Sequence, residues 1–471
     1  MKRALAMILL AAVPLVIAVP VAHAWEPETT QAGLAEQAAI ASKLHKRLVN
    51  LGFVGGLFEP LTIPPADAPA LTQALKLLSP SHGSVPDARG RQAALSWIAA
   101  GAALADVPSS HGANHFYDPD SKQGWHKPDR GVVAGVADTV RESIGRAGLP
   151  ETGVPAPDWV VAKDNPFNVD AFYAQYAKAV SAKTPGERSR AMAAALVAAG
   201  SILHTLGDLG SPSRVRSDEA AHLEPLGAGP DDLGSRFERI AALAHGRLGV
   251  PAPSHIIARD HLRDFFTAKD GKGLADVTAH TYFSTHTLPL DSRIGKDQHA
   301  ELARPLPALP RSLNLLSASR DDGFTLKDKN GTCLARYKVE RGLLSFFLDD
   351  DCMLEQVTQI LPEVAAYETG LLDYLLRGDL SITFATGQIS VLGKALGAGT
   401  VEIFVEDNRG VRTSLGTKQI QGAPGGEDAA LGTGIASAPT PADGTRILAV
   451  FRGVDRNGEP MVATGAMPFS P

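Results

Sequence analysis

Residues 185–208 read PGERSRAMAAALVAAGSILHTLGD, and the way this stretch folds decides the rest. It is rich in Ala and Leu at helical spacing, so 185–206 is expected to form one long helix. At its end stand His204 and Asp208, four residues apart. On a helix such residues project from one face, which lets an imidazole nitrogen and a carboxylate oxygen address the same point. A His-x-x-x-Asp pair alone is more often a surface or capping feature. Well upstream, however, comes Asn114-His115-Phe116-Tyr117-Asp118-Pro119-Asp120, with Asp106 nine residues before His115. Asp106 and His115 supply a second pair, and two imidazoles with two carboxylates form a donor set for a metal ion.

Outward from this helix the chain changes character near residue 380. Helical apolar periodicity, broken by Pro/Gly loops, predicts further helices at 35–51, 92–105, 170–182, 234–246, 254–266 and 354–376. Beyond 378 the pattern turns to short alternating runs at 381–384, 400–405 and 446–452, with Gly, Pro, Asn and Asp between them. The expected fold is mainly α, a multi-helix domain followed by a small β-sandwich-like domain. Segments 60–69, 305–319 and 421–443 are rich in turn formers and read as loops or linkers. No internal repeat is visible.

The first 24 residues carry Lys2 and Arg3, an apolar run from Ala4 to about Val21, and the small-x-small string Ala22-His23-Ala24. This reads as a signal peptide, with export and cleavage before Trp25. The expected division is therefore 1–24 signal peptide, 25–378 helical domain and 379–471 β-rich accessory domain. About 447 residues remain after cleavage, enough for two or three domains. The formal net charge is −6 and the pI about 6.2, with no basic stretch that would bind nucleic acid by charge alone. The two cysteines, Cys333 and Cys352, read as one disulfide in an exported chain, with two free buried thiols as the alternative. Neither has metal-ligand spacing.

The string His115-Phe116-Tyr117-Asp118-Pro119, followed by His204-x-x-Gly207-Asp208-x-x-x-Pro212, resembles the zinc-dependent phospholipases C of bacteria and their relatives, the fungal single-strand nucleases that also use three zincs. The resemblance runs over about 25–378 and includes 274–288 and 360–378, which carry fold identity and no chemistry we can name. It implies that Trp25, exposed by cleavage, binds zinc through its α-amino group and carbonyl oxygen. It further implies that Asp106, His115, His204 and Asp208 hold one zinc, with Asp106 as general base and Asp208 bridging to the zinc held by Trp25. That first site looks complete.

The other two zinc sites look incomplete. Gln31 stands where the family has a His, and Arg214, in Ser211-Pro212-Ser213-Arg214, stands where an imidazole is expected. Arginine stays protonated and offers no lone pair. The downstream His-x-x-x-Glu reads Gly234-Ser235-Arg236-Phe237-Glu238, keeping only Glu238 as a ligand. His222 lies nearby in a loop, where a histidine is more often exposed. Arg214 is expected either to pair with Glu238 and grip phosphate in place of the second zinc, or to mark a degenerate member that binds a ligand or partner without turnover.

A cluster of dications neutralises a phosphodiester and lowers the pKa of a bound water, so the resemblance implies an exported zinc phosphodiesterase. Its substrate is phospholipid, with peripheral membrane contact, or single-stranded nucleic acid; the acidic balance favours lipid. Phe116 and Tyr117 read equally as pocket lining or core. His280 and His286 read as structural or surface residues. Oligomeric state and the role of the β-rich domain are not legible.

Overall fold

The computed structural model of the chain describes residues 27–62, 71–72, 74–76, 90–128, 150–226, 233–288, 324–340, 343–385, 388–421, 429–430 and 444–468. The expected signal peptide and Trp25 lie outside these residues, as do segment 305–319 and most of 60–69 and 421–443. In chain order the helices are α1 (Ala32–Ala41), α2 (Leu44–Asn50), α3 (Ala94–Leu104), α4 (Ala156–Trp159), α5 (Val169–Ser181), α6 (Pro185–Gly207), α7 (Arg236–His245), α8 (Leu262–Phe266), α9 (Leu274–Thr281) and α10 (Asp350–Leu375).

Helix α6 is the axis of the molecule. It opens on a capping box: the Glu187 amide donates to Thr184 Oγ1 (3.3 Å) and the Thr184 amide to Glu187 Oε2 (3.0 Å), with Pro185 at the first helical position. From Ala191 onward nearly every side chain is buried, against α3, α5 and α10. Although α6 is long and apolar enough to cross a membrane, it is a buried core helix. Two glycines set its distance from α3. A Cβ on Gly101 would strike Val197 O, and one on Gly200 would strike Ile98 O. Only a residue without Cβ permits this backbone approach, and it delivers the end of α6 to the end of α3.

Two helices differ from the sequence expectation. The 35–51 helix is split, because Ser42 leaves helical geometry and its Oγ accepts from the Leu44 amide at 3.2 Å, ending α1 and starting α2. Only Leu262–Phe266 of the 254–266 helix forms. The preceding backbone runs along α10 instead, with the Ile257 amide donating to Ala366 O (3.3 Å) and Ile257 O filling the notch at Gly370.

The helical half also contains strands that its composition hid. Two short antiparallel pairs join β1 (Pro60–Thr62) to β2 (Arg91–Ala93) and β3 (Glu224–Pro225) to β4 (Leu233–Gly234). A three-stranded antiparallel meander, β5 (Phe324–Lys327), β6 (Cys333–Glu340) and β7 (Leu343–Phe347), covers Phe283 with a small core of its own. Cys333 and Cys352 are disulfide-bonded, tying β6 to the first turn of α10. A disulfide fits the oxidising compartment that export implies.

Past α10 come β8 (Leu380–Ala385), β9 (Gln388–Gly393), β10 (Leu396–Asp407), β11 (Arg412–Gln421), β12 (Ala429–Ala430), β13 (Gly444–Asp455) and β14 (Pro460–Pro468). They form antiparallel sheets of order β11-β10-β13-β14 and β12-β9-β8. Period-two alternation assigns the faces. Val401, Ile403, Val405, Ile447, Ala449, Phe451, Met461 and Ala463 share a core with Leu380, Ile389 and Val391 of the smaller sheet. The intervening Phe404, Leu448, Val450 and Val462 belong instead to the helical core. Strands β10, β13 and β14 of the larger sheet are thus buried on both sides, while its edge strand β11 is largely exposed. Arg412 fixes the junction, donating to Glu406 Oε2 (2.8 Å) and Leu51 O (2.7 Å).

Candidate metal centre

The end of α6 and the residues after α3 meet at a buried group of four. Asp106, His115, His204 and Asp208 each offer one donor atom, and these atoms lie within 4.8 Å of one another. Exposure ranges from 0% for His115, His204 and Asp208 to 3% for Asp106. Asp208 Oδ2 is 2.8 Å from His115 Nδ1 and 3.2 Å from His204 Nε2. Asp106 reaches the same two rings, Oδ1 to His115 Nδ1 at 3.2 Å and Oδ2 to His204 Nε2 at 3.5 Å. Tetrahedral zinc with bonds of about 2.1 Å holds its ligand atoms about 3.4 Å apart, so the spacing suits one small dication with little adjustment.

The tautomer is set locally. His204 Nδ1 lies 2.6 Å from Ala102 O, across the close α3–α6 contact. Nδ1 must therefore carry the proton, which leaves the Nε2 lone pair facing Asp106 and Asp208. Among the described residues His204 Nε2 has no hydrogen-bond partner. Burial disfavours the His204 cation, yet Asp208 and Asp106 together carry its pKa up to about 9. Without a cation at the cluster, that proton sits between His204 and the two carboxylates.

Arg214 closes one side. Its Nε donates to Glu238 Oε1 at 3.2 Å, its Nη1 to Gly112 O at 3.3 Å, and Nη1 lies 3.6 Å from Asp208 Oδ2. The guanidinium stacks 4.5 Å over the Phe116 ring. Burial works against its charge, but Asp208 and Glu238 more than offset this and the group stays cationic. Glu238 is pushed up to about 7, chiefly by burial. Arg214 pairs with Glu238 as the sequence allowed, and Glu238 is not part of the group of four donors.

His222 is not the exposed loop residue expected. It is 1% exposed in the 3-10 turn Glu219–Leu223, with Nε2 2.8 Å from Ser213 Oγ and Nδ1 3.7 Å from Glu238 Oε2. Burial and Arg214 drive its pKa well down, so it is neutral. Phe116 and Tyr117 are buried, Phe116 packing edge-on against Trp125 and His222. His280 pairs with Asp120 at 3.2 Å, and His286 with Asp218 at 2.8 Å, both partly exposed.

Behind Asp208 lie Gln31, which stands where the resembled family has a histidine, and Glu368, which the sequence did not assign to a site. Gln31 is fully buried, and its Nε2 donates to Asp208 Oδ1. Glu368, in the middle of α10, is also fully buried, and neither of its oxygens has a partner among the described residues. An acid inside the apolar run Val364 to Leu372 was the available signal.

No family model and no curated protein matches this chain. Among solved structures, an alpha-toxin from Clostridium absonum aligns at 12% identity over 95% of this chain and 96% of its own, with a TM-score of 0.27. The alpha-toxin of a Clostridium perfringens avian strain aligns at 10% identity over 94% and 98%, with the same TM-score.

Proposed function

We propose that this chain is an exported, metal-dependent phosphodiester hydrolase of the zinc-dependent phospholipase C type, acting on phospholipid. The observation that supports it is the convergence of Asp106, His115, His204 and Asp208, from segments far apart in sequence, into one buried donor set. Two imidazoles and two carboxylates suit zinc. A zinc bound there would offset phosphate charge and acidify water near neutral pH.

The chain's own groups do the rest. His204 is held in its ligand tautomer by Ala102 O. Arg214, fixed between Glu238 and Asp208, meets the charge that develops on phosphate oxygens. Asp106 takes the proton that the attacking water loses. As the water oxygen bonds to phosphorus, the lipid alkoxide leaves and is protonated, giving diacylglycerol and a phosphomonoester.

The test is metal content per chain of the purified mature protein, followed by hydrolysis of phosphatidylcholine and of single-stranded DNA with and without chelator. We expect hydrolysis of phosphatidylcholine that chelation abolishes and zinc restores. Hydrolysis that survives complete metal removal refutes the metal reading. Cleavage of single-stranded DNA alone reassigns the substrate, and bound metal without hydrolysis of either identifies a ligand-binding member, the reading that Arg214 in an imidazole's place favours.

A further inference from the structure

A cleft of about 510 Å³ opens where α10, the 256–265 segment and the turn between β13 and β14 meet. Its volume falls within the range of small-molecule sites, about 300–1,000 Å³. It lies on the side of α10 away from the metal centre. Residues two apart on a helix point to opposite sides, and Glu368 faces Asp208 whereas Gly370 lines the cleft. The walls are tied together by hydrogen bonds. Glu459 Oε2 accepts from the Leu262 amide (3.1 Å), Asn457 Nδ2 donates to Asp260 O (3.2 Å), and Arg377 Nη2 donates to Asp455 Oδ2 and Pro460 O, both at 2.9 Å. The turn is thus clamped to α8 and to the end of α10. Phe265, Tyr374 and Met461, at 0%, 8% and 3% exposure, form an aromatic and apolar floor, while Lys43, Lys394 and Arg456 stand exposed on the rim. Basic side chains outnumber acidic ones in the lining, five to three, in a chain whose net charge is −6. Arg377 pairs with Asp455 and Arg259 with Asp270, so the rim cations are what the cleft presents against Asp260 and Asp373.

We propose that this cleft binds a single-chain anionic amphiphile, an alkyl tail bearing one carboxylate or phosphate head. The tail lies on Phe265, Tyr374 and Met461, and the head meets the rim cations. Burying alkyl carbon on the floor favours any such tail, whereas the rim favours an anionic head over a cationic one. The separation of apolar floor from charged rim fixes the ligand's orientation. Ile256, 48% exposed at the edge, is apolar surface that the tail would cover. Such a ligand touches α10 and the β13–β14 turn at once and so ties the helical part to the sheet. The site is independent of the metal centre, because the body of α10 stands between them.

The experiment titrates the purified mature chain by calorimetry with decanoate, decyl phosphate and decyltrimethylammonium, each below its micellar concentration, with and without chelator. Decanoate or decyl phosphate should bind once per chain, the tighter of the two naming the head group, and the ammonium roughly tenfold more weakly or worse. Octanoate should bind roughly tenfold more weakly than decanoate, the weight of two buried methylenes. Reversing two rim charges, in the double variant Lys43→Glu and Arg456→Glu, should weaken the anion roughly tenfold or more. Ala258→Trp, which keeps every charge and places a bulky ring in the cleft lining, should abolish binding. No saturable binding of either anion, an equal affinity for the ammonium, octanoate as tight as decanoate, or an affinity unchanged in either folded variant overturns the site. Binding that chelation removes also overturns it, because the anion then belongs to the metal centre. The double variant alters exposed side chains alone and decides the matter if Ala258→Trp fails to fold, which its circular dichroism melt reports.

Discussion

Arg214 is the residue whose chemistry most separates adaptation from decay. An arginine buried to 1% exposure, stacked on Phe116 and held by Glu238 and Gly112, is positioned and cannot wander as a surface arginine would. If turnover depends on it, Arg214→Ala should lower kcat by roughly tenfold or more with metal content unchanged, the order expected for losing one preorganised donor. Unchanged kinetics would mean that the guanidinium serves packing only. His286 gives a pH prediction remote from the centre. Hydrogen bonding to Asp218 raises the His286 pKa above 6.5, although partial burial opposes this, while Asp218, despite its burial, is lowered by the same pair. A raised histidine contributes stability that is complete below its unfolded pKa and lost as pH rises through its folded one. Wild type should therefore hold its advantage over His286→Asn below about pH 6.5 and lose it as pH rises further, read as urea midpoints that are separated at low pH and converge above it. Parallel midpoints across pH 5–9 would dismiss the pair. At this scale the four donors were legible because their spacing and aromatic flanks are local. Glu368 was not, because one acid in an apolar helix pattern reads as an exposed position until the partner helix end is known.

Among elements, the α3–α6 contact does most to build the centre. Gly101 and Gly200 let backbone meet backbone, and the same approach brings Ala102 O to His204 Nδ1. Gly200→Ala should destabilise by about 2 kcal/mol or more through overpacking, and it should also weaken metal binding by tilting His204. Both are measurable, by thermal melts of the metal-free protein and by zinc titration. A variant with wild-type zinc affinity would show that the helix spacing is not what orients the ring. The long helix itself was readable because Ala and Leu at helical spacing decide it locally. The 324–347 meander was not, although Leu334, Tyr337 and Val339 sit among alternating polar residues, because short strands in an Ala/Leu-rich background give a weak signal. Likewise the 254–266 helix was lost to tertiary contact: apolar spacing favoured it, but packing of 254–258 against α10 prevailed.

The whole molecule is joined by a sheet that faces both ways. Period two told the sequence reader that strands follow residue 380, but not that alternate residues would serve two cores, since both sets are apolar. Phe404, Leu448, Val450 and Val462 lie in the helical core while their neighbours close the sandwich. At about 1.5–3 kcal/mol per fully buried large apolar side chain, these four share on the order of 6–12 kcal/mol with the helices. That is comparable to the entire stability of an ordinary domain, about 5–15 kcal/mol. Glu406 adds a buried carboxylate that Arg188 and Arg412 both hold, at 3.4 and 2.8 Å, so the junction is polar-locked as well as apolar. The boundary expected at 378/379 should therefore divide the chain by composition but not by stability. Calorimetry of the full mature chain should show one cooperative transition. A chain truncated after Gly378 should aggregate or melt far below it, because the truncation bares the helical face that β10, β13 and β14 cover. Two resolved transitions, or a soluble 25–378 fragment with an unchanged melting temperature and full zinc binding, would show that the two parts fold independently and that the sheet is an accessory.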